Sequence, residues 1–468
     1  MVRFTVVVIY KSQMALILLV LSMLHGISNG EYYYENWCAQ HDLTYLDDSK
    51  CQKLFPSLPT SGLVDTAFQC SANINVLTPE EQEGLLAKGY LPETSLDQLS
   101  IIDSESLANI ISSNVNLCMI VTKRVVVSDT NEVKLYNKYF CNGVQSVQDS
   151  FETWSSSKVF AMANAAGHMR SDEECFQHGD TICQQGRLGL DGYTKGQHGD
   201  TRFADLATVI VSYDETMNYT SNSLSHYFLN IGWRERENDL IQDWLGHVNA
   251  EKWTPQEQTF GGAYGEVPPA DLQYQDYQCA LDVDPANGGN GYANHLSALS
   301  NAELLRRLVL HREMENSPSL QWPGVTYTDV QNILYGSSIS DSTSFFPDVI
   351  WGGMSTDPGI FLQGALDDVE KNVLKRIDEN SDGAWRIFSK LGAGYSSSRG
   401  KGEILSNVYA CLPHLFSSDS SDASNGIEFT FSVRASEDKD ASLVHAQQAI
   451  MDALTETMQA LMRGDLPV

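Results

Sequence analysis

The chain has 468 residues, enough for a large core or more than one typical domain, and its 60 Asp and Glu outnumber its 30 Lys and Arg. Arg3 and Lys11 are the only charged residues among the first thirty, so the remainder carries 28 basic against 60 acidic side chains. Such a field disfavours nucleic acid and anionic membrane surfaces as partners, and its scattered acids read as a solubilising surface rather than a cation store.

In chain order, Arg3 and Lys11 precede the apolar run ALILLVLSMLHG, with Ser28 and Gly30 at small-residue cleavage positions. This is the pattern of a secretory signal peptide over residues 1–30. A dozen apolar residues fall short of the roughly 20 that span a bilayer, and no later stretch is long enough, so an exported, soluble protein without an integral membrane span is expected. All nine cysteines follow the leader: Cys38, Cys51, Cys70, Cys118, Cys141, Cys175, Cys183, Cys279 and Cys411. In an oxidising compartment most should pair, and the odd count leaves at least one over. Cys175 and Cys183 bracket a short loop and are the easiest pair to assign.

Residues 31–100 form a cysteine-bearing N-terminal segment. Within it TPEEQEGLLAKG starts a helix, with Thr78 and Glu81 as a capping box and Pro79 at the first helical position. A helix is expected from Ser104 over SESLANIISSN, followed by the strands LCMIVTKRVVV and EVKLYNKYF joined by a turn. Past Lys158, VFAMANAAGHM reads as a buried helix. Residues 171–200 read as loop. Helical patterns return at FADLATVIVSYD, SNSLSHYFLNIG, NDLIQDWLG and SNAELLRRLVLHREM. The turn-rich stretch 247–293 reads as a long excursion. AWRIFSKLGAGY, EILSNVYACLP and GIEFTFSVRA then read as three strands, followed by the amphipathic helix ASLVHAQQAIMDALTETMQALM. This order predicts an α+β fold over residues 101–468, its antiparallel sheet built from both chain ends around a mostly helical middle.

Three short stretches carry candidate chemistry. ETWSSSKVF places Ser155 three residues before Lys158, on one helix face. A serine hydroxyl needs a base to become a nucleophile, and a lysine becomes one at neutral pH only when desolvated or crowded by other cations. The plain alternative is a capped helix with a solvated lysine. Thr220, Ser221 and Asn222 stand at the head of another predicted helix. Lys390, at the end of a predicted strand, is followed by Leu391, Gly392, Ala393 and Gly394, glycines where a substrate would approach backbone.

A Ser-x-x-Lys, a [Ser/Thr]-x-Asn and a Lys-x-Gly in this order, on helix, helix and strand, resemble the three motifs of class A β-lactamases and penicillin-binding serine acyltransferases. The resemblance runs from about residue 104 to 468, and SSSKVF is also similar to a segment of the serine-dependent glutaminases. It implies a β-lactamase or transpeptidase-like fold and an acyl-enzyme at Ser155, with Lys158 as its base. Thr220 would relay a proton, Asn222 would hold a substrate amide, and Lys390 would attract a substrate carboxylate. The backbone N–H groups of Ser155 and Ala393 would form an oxyanion hole beside Gly392. Two departures stand out. Leu391 occupies a position usually held by Ser or Thr, and Glu251, Glu257 and Glu266, in the excursion that takes the place of the deacylating loop, sit in no matching motif. The implied reaction is acyl transfer from an amide or ester, on a small-molecule or peptide substrate and without a cofactor. A glutaminase-like amidohydrolase and a catalytically inactive binding or scaffold protein of the same fold stand as alternatives.

Other features read as structural. Asn218 heads a glycosylation sequon, Asn-Tyr-Thr, ending on Thr220. DENSDGAWRIFS begins like a calcium loop but has Ser389 where the bidentate glutamate belongs. His168, His178 and His198, near Asp180 and Asp200, have no helical metal-pair spacing.

Overall fold

The computed structural model describes residues 70–468 apart from 71, 73, 94–101, 104, 112–113, 129–131, 172–187, 197–198, 213–216, 233, 246–265, 273–294, 315–317, 338–353, 355–359, 382–383, 397–399, 418–424 and 439–442. The leader, most of the 31–100 segment, Cys175 and Cys183, His178 and His198, and Glu251 and Glu257 lie outside the described residues.

The architecture is α+β. It opens with β1 (Ile74–Leu77), α1 (Pro79–Ala87) and β2 (Leu91–Pro92). The long strands β3 (Val115–Val127) and β4 (Val133–Cys141) follow, then the short α2 (Gly143–Gln148) and β5 (Phe151–Glu152). The middle holds α3 (Lys158–Ser171), β6 (Tyr193–Gly196), β7 (Gly199–Arg202), α4 (Phe203–Ser212), α5 (Ser221–Gly232), α6 (Arg234–Leu245), β8 (His295–Leu296), α7 (Ala298–Val309) and α8 (Tyr327–Tyr335). The chain closes with α9 (Ile360–Val369), α10 (Val373–Ser381), β9 (Arg386–Ser396), β10 (Lys401–Leu412), β11 (Ile427–Asp438) and α11 (Leu443–Arg463).

One sheet runs β2-β4-β3-β11-β10-β9, with β1 parallel to β3 where β11 leaves it uncovered. Strands from before and after the helical middle thus meet at the β3–β11 pair, and the long pairings are antiparallel. Alternation along β10 divides the core in two. Ile404, Val408, Ala410 and Leu412 join a cluster with α9, α10 and α11, whereas Tyr409 and Cys411 join the opposite cluster, built on α3, α4 and α5. Disulfides Cys70–Cys411 and Cys118–Cys141 fasten the N-terminal stretch to β10 and β3 to β4. Among the described residues no helix is long and apolar enough to cross a membrane.

Several local expectations hold in detail. The capping box forms in both directions between Thr78 and Glu81, and the three terminal strands and their helix appear in order. Others need correction. SESLANIISSN is not a helix: Asp103 accepts from the backbone of Glu105 and Ser106, and only an isolated turn follows. A short side chain bonding its neighbours' N–H groups offers the backbone an alternative to a helix. The stretch read as loop at 171–200 contains β6 and part of the hairpin it makes with β7. α8, α9, α10 and β1 were not legible in the pattern. The calcium-like stretch lies partly in α10, where Asp378 accepts from Trp385 Nε1 at 3.0 Å. His168 meets the Ile231 carbonyl at 2.6 Å.

Charged groups are buried in complementary sets. Arg124 joins Glu428 and Glu313, at 2.7 and 2.8 Å. Arg306 and Arg307 share Glu303, with Glu93 completing the group. Burial alone would raise the Glu303 carboxyl, but the two guanidiniums outweigh it and hold it down to about 2. A carboxylate depressed on folding stabilises above its unfolded pKa, and that stability is lost as pH falls through the folded one. Glu303→Gln should therefore cost about 3–5 kcal/mol in denaturant unfolding at neutral pH, because it leaves two buried guanidiniums short of a counter-charge. The deficit should shrink as the pH is lowered from about 4.5 toward 2, and a deficit constant over that window would refute this account.

Candidate active site

The three serines before Lys158 lie in a 3₁₀ turn, Trp154–Ser157, that leads into α3. Their hydroxyls divide by role. Ser156 Oγ donates to the Thr153 carbonyl at 2.7 Å, and Ser157 Oγ lies 3.1 Å from the Trp154 carbonyl and accepts from Thr153 Oγ1 at 2.9 Å. Both side chains are fully buried, and back-bonding to carbonyls of this kind builds the turn. Ser155 alone is partly exposed.

Lys158 is not solvated: it is 0% exposed at the head of α3. Its Nζ donates to Ser221 Oγ at 3.0 Å and to Asn222 Oδ1 at 2.6 Å. Ser221 Oγ in turn donates to the Ile210 carbonyl at 2.6 Å, so it faces Lys158 as an acceptor. Burial first, then the nearby Lys390 ammonium, holds Lys158 well below the ordinary lysine range, while Glu266 pulls the other way. The solvated-lysine alternative is thereby corrected, because α3 and its neighbours leave no water around this amine.

Lys390 is also 0% exposed. Contrary to expectation it does not end a strand: it lies in mid-β9, which continues to Ser396. It pairs with Asn407 and donates to the Leu391 carbonyl at 3.1 Å. Asn407 also reaches the Ser156 carbonyl at 3.4 Å. Alternation puts Lys390 and Gly392 on the face toward the serine turn and Leu391 and Ala393 on the other, where Leu391 packs against the α11-side cluster. Ala393 is exposed.

Two glycines let β9 run against the turn. A Cβ at Gly392 would lie 2.5 Å from the Thr153 carbonyl oxygen and 2.8 Å and 3.1 Å from the Ser156 and Ser155 nitrogens. One at Gly394 would strike the Trp154 ring at 2.4 Å. Trp154 itself has a φ of +50°, a left-handed backbone costly for a bulky residue. Its Nε1 donates to Glu403 Oε2 at 3.2 Å, and Glu403 is paired with Arg434 at 2.6 Å. This ion pair on the sheet anchors the ring that sets the strained residue before Ser155.

The second stretch divides differently from its reading. Asn222 meets Lys158 as described, whereas Thr220 Oγ1 contacts Ser223 at 3.0 Å and Glu266. Residue-pattern reasoning gave Ser221 no role, yet it is the hydroxyl that touches the lysine. Glu266 is the second addition. Its Oε1 accepts from Asn222 Nδ2 at 3.4 Å, and its carbonyl meets His226 Nδ1 at 2.7 Å. The same segment is fixed by Asp271, which accepts from Tyr219 at 2.8 Å, and by buried Leu272. The only signal for Glu266 in the sequence was its position between the second and third motifs. Asn218 is exposed, with a φ of +58°.

No family model matches the chain, and no curated protein matches it. Among solved structures, a β-lactamase from Burkholderia vietnamiensis is 10% identical over 76% of this chain and 96% of its own, with a TM-score of 0.36. A class A β-lactamase from Mycobacterium abscessus is 11% identical over 79% of this chain and 99% of its own, with a TM-score of 0.34. A peptidoglycan synthetase from Bifidobacterium adolescentis is 13% identical over 79% of this chain and 59% of its own, with a TM-score of 0.25. Overlays this loose assign neither family nor activity.

The close approach at Gly392 is directly testable. Gly392→Ala should destabilise the protein by about 1–3 kcal/mol in denaturant unfolding, because its methyl meets backbone that cannot swing aside. Gly84→Ala, in α1 with nothing within 4 Å of the added methyl, should leave stability unchanged or raise it by roughly 0.5–1 kcal/mol. Equal effects would mean that β9 does not press on the serine turn.

Proposed function

We propose that this chain is an exported serine hydrolase or acyltransferase of the β-lactamase and transpeptidase-like architecture, acting on an amide or ester through a Ser155 acyl-enzyme. The observation that carries the reading is the buried Lys158 amine, held by Ser221 and Asn222 beside Lys390 and one helical turn from the partly exposed Ser155. The sheet order, in which strands from both chain ends flank a helical middle, supports the architecture. The Cys70–Cys411 and Cys118–Cys141 disulfides are in keeping with an oxidising, extracellular setting.

In this mechanism Lys158 acts as a neutral amine. Its two N–H bonds are accepted by Ser221 and Asn222, and its lone pair takes the Ser155 proton as Oγ bonds to the substrate carbonyl carbon. The carbonyl electron pair moves to oxygen, stabilised by the N–H groups of Ser155 and Ala393, donors worth about 3 kcal/mol each in related hydrolases. Collapse expels the amine or alcohol, which takes its proton from the Lys158 ammonium and leaves Lys158 neutral again; the relay expected of Thr220 is not used, because Thr220 is engaged with Ser223 and Glu266. Lys390 supplies positive potential for a substrate carboxylate. Hydrolysis of the ester requires a base for water, and Glu266, lying against Thr220 and Asn222, is the carboxylate placed to serve. That placement weighs against the inactive-scaffold alternative. Leu391, packed away into the other core face, offers no hydroxyl to a substrate carboxylate, which favours a small amide that lacks one over a penicillin.

Intact mass after incubation with a fluorophosphonate, and separately with a penicillin, tests the proposal. One adduct is expected from the fluorophosphonate and none in Ser155→Ala. A wild-type protein inert to both reagents would defeat it, and strong penicillin acylation would overturn the preference for small amides. Glu266→Gln separates the two half-reactions. Without its carboxylate the Lys158 ammonium loses a stabilising partner, so its pKa drops further and the acid limb of Ser155 acylation should move to lower pH. Loss of the acyl group should slow about 100-fold or more. Unchanged deacylation would exclude Glu266 as the base.

A further inference from the structure

Three lysines converge where α1, β3 and β4 meet, in a chain with twice as many acidic as basic residues. Lys88 caps the C-terminal end of α1. Lys123 on β3 and Lys138 on β4 share a sheet face, because Lys138 pairs with Val121, two residues before Lys123. Both ammonium groups attend one ring: Lys123 Nζ is 4.6 Å and Lys138 Nζ 5.7 Å from the Tyr90 centroid. Lys138 is nearly buried, donates to the Pro467 carbonyl at 2.6 Å and feels Asp103, whose own oxygens are taken up by Ser106 and the backbone of Glu105. Among the described residues Lys123 forms no hydrogen bond and no ion pair. The charges that bear on it are Lys88 and Lys138. Tyr136, opposite Lys123 in the register, gives its hydroxyl to Gln82 at 3.1 Å.

We propose that Lys88, Lys123 and Lys138 form a binding site for a compact divalent oxyanion, sulfate or phosphate, held among their ammonium groups. Arg124 and Arg306 are matched by the carboxylates of Glu428 and Glu303. Against its three ammonium groups this cluster sets one carboxylate, Asp103, already engaged by Ser106 and the Glu105 backbone, and cation–π contact with Tyr90 stabilises single ammonium groups without relieving the repulsion between them. A dianion relieves it, and a carboxylate has too little charge to balance three cations. Burial, then Lys88 and Lys138, pushes the Lys123 ammonium down to about 8, so an anion that needs Lys123 charged binds below that pH and is released above it.

Equilibrium dialysis of radiolabelled sulfate against the full chain, at constant ionic strength set with chloride, reads the site directly. Sulfate keeps its charge across the range, so any pH effect belongs to the protein. One sulfate per chain is expected at about pH 6.5, with affinity at least tenfold weaker at about pH 9.5. Lys88→Gln, an exposed position that should not disturb folding, and Lys123→Met, which keeps the apolar stem, should each weaken binding at least tenfold at the lower pH, and phosphate should compete. Binding that is absent, insensitive to Lys88→Gln, or equal at the two pH values would overturn the site.

Discussion

Everything at the candidate site depends on how closely β9 runs beside the serine turn. The strand passes where a single methyl group would collide with backbone, which is possible only because Gly392 and Gly394 lack one. That proximity brings Gly392 against the Ser155 nitrogen and presses the Trp154 ring onto the sheet. Trp154 then holds a left-handed conformation a tryptophan would not choose, stabilised by ring contact and by the Glu403–Arg434 pair beneath it. Strain at one residue is thereby supported by elements far away in the chain, as is common where a reactive group must be aimed.

Buried charge is used in two chemically distinct ways. The structural cations are arginines, Arg124, Arg306 and Arg307, each locked to carboxylates. A guanidinium cannot be deprotonated in a protein, so it needs its counter-charges permanently. The cations of the site are lysines. A lysine buried beside another can shed its proton, and desolvation beside Lys390 holds Lys158 well below the ordinary lysine range. Glu266 moderates that effect from the far side of Asn222.

The three serines show how the same residue type serves two ends within one turn. Ser156 and Ser157 close the turn by bonding to carbonyls three residues back, and in doing so they become unavailable for chemistry. Ser155 is left at the surface by the geometry they impose. A triplet that looks redundant in one dimension is a fold element and a candidate nucleophile in three.

What the sequence determined by itself was local and periodic: the Thr78–Glu81 capping box, the α3 and α11 helices, the β3–β4 hairpin and the three terminal strands, because each is specified by side chains a few positions apart. The order of those elements was enough for the α+β class, and the resemblance of three ordered motifs to a known family singled out Ser155, Lys158, Asn222 and Lys390. Tertiary structure decided the rest. It put β9 alongside the serine turn instead of ending it at Lys390, chose Ser221 over Thr220 as the hydroxyl on Lys158, and brought Glu266 back from 44 residues beyond Asn222. It likewise gathered Lys123 and Lys138 around one tyrosine. None of these follows from periodicity, because each depends on which surfaces the sheet brings together and on how much water that packing excludes.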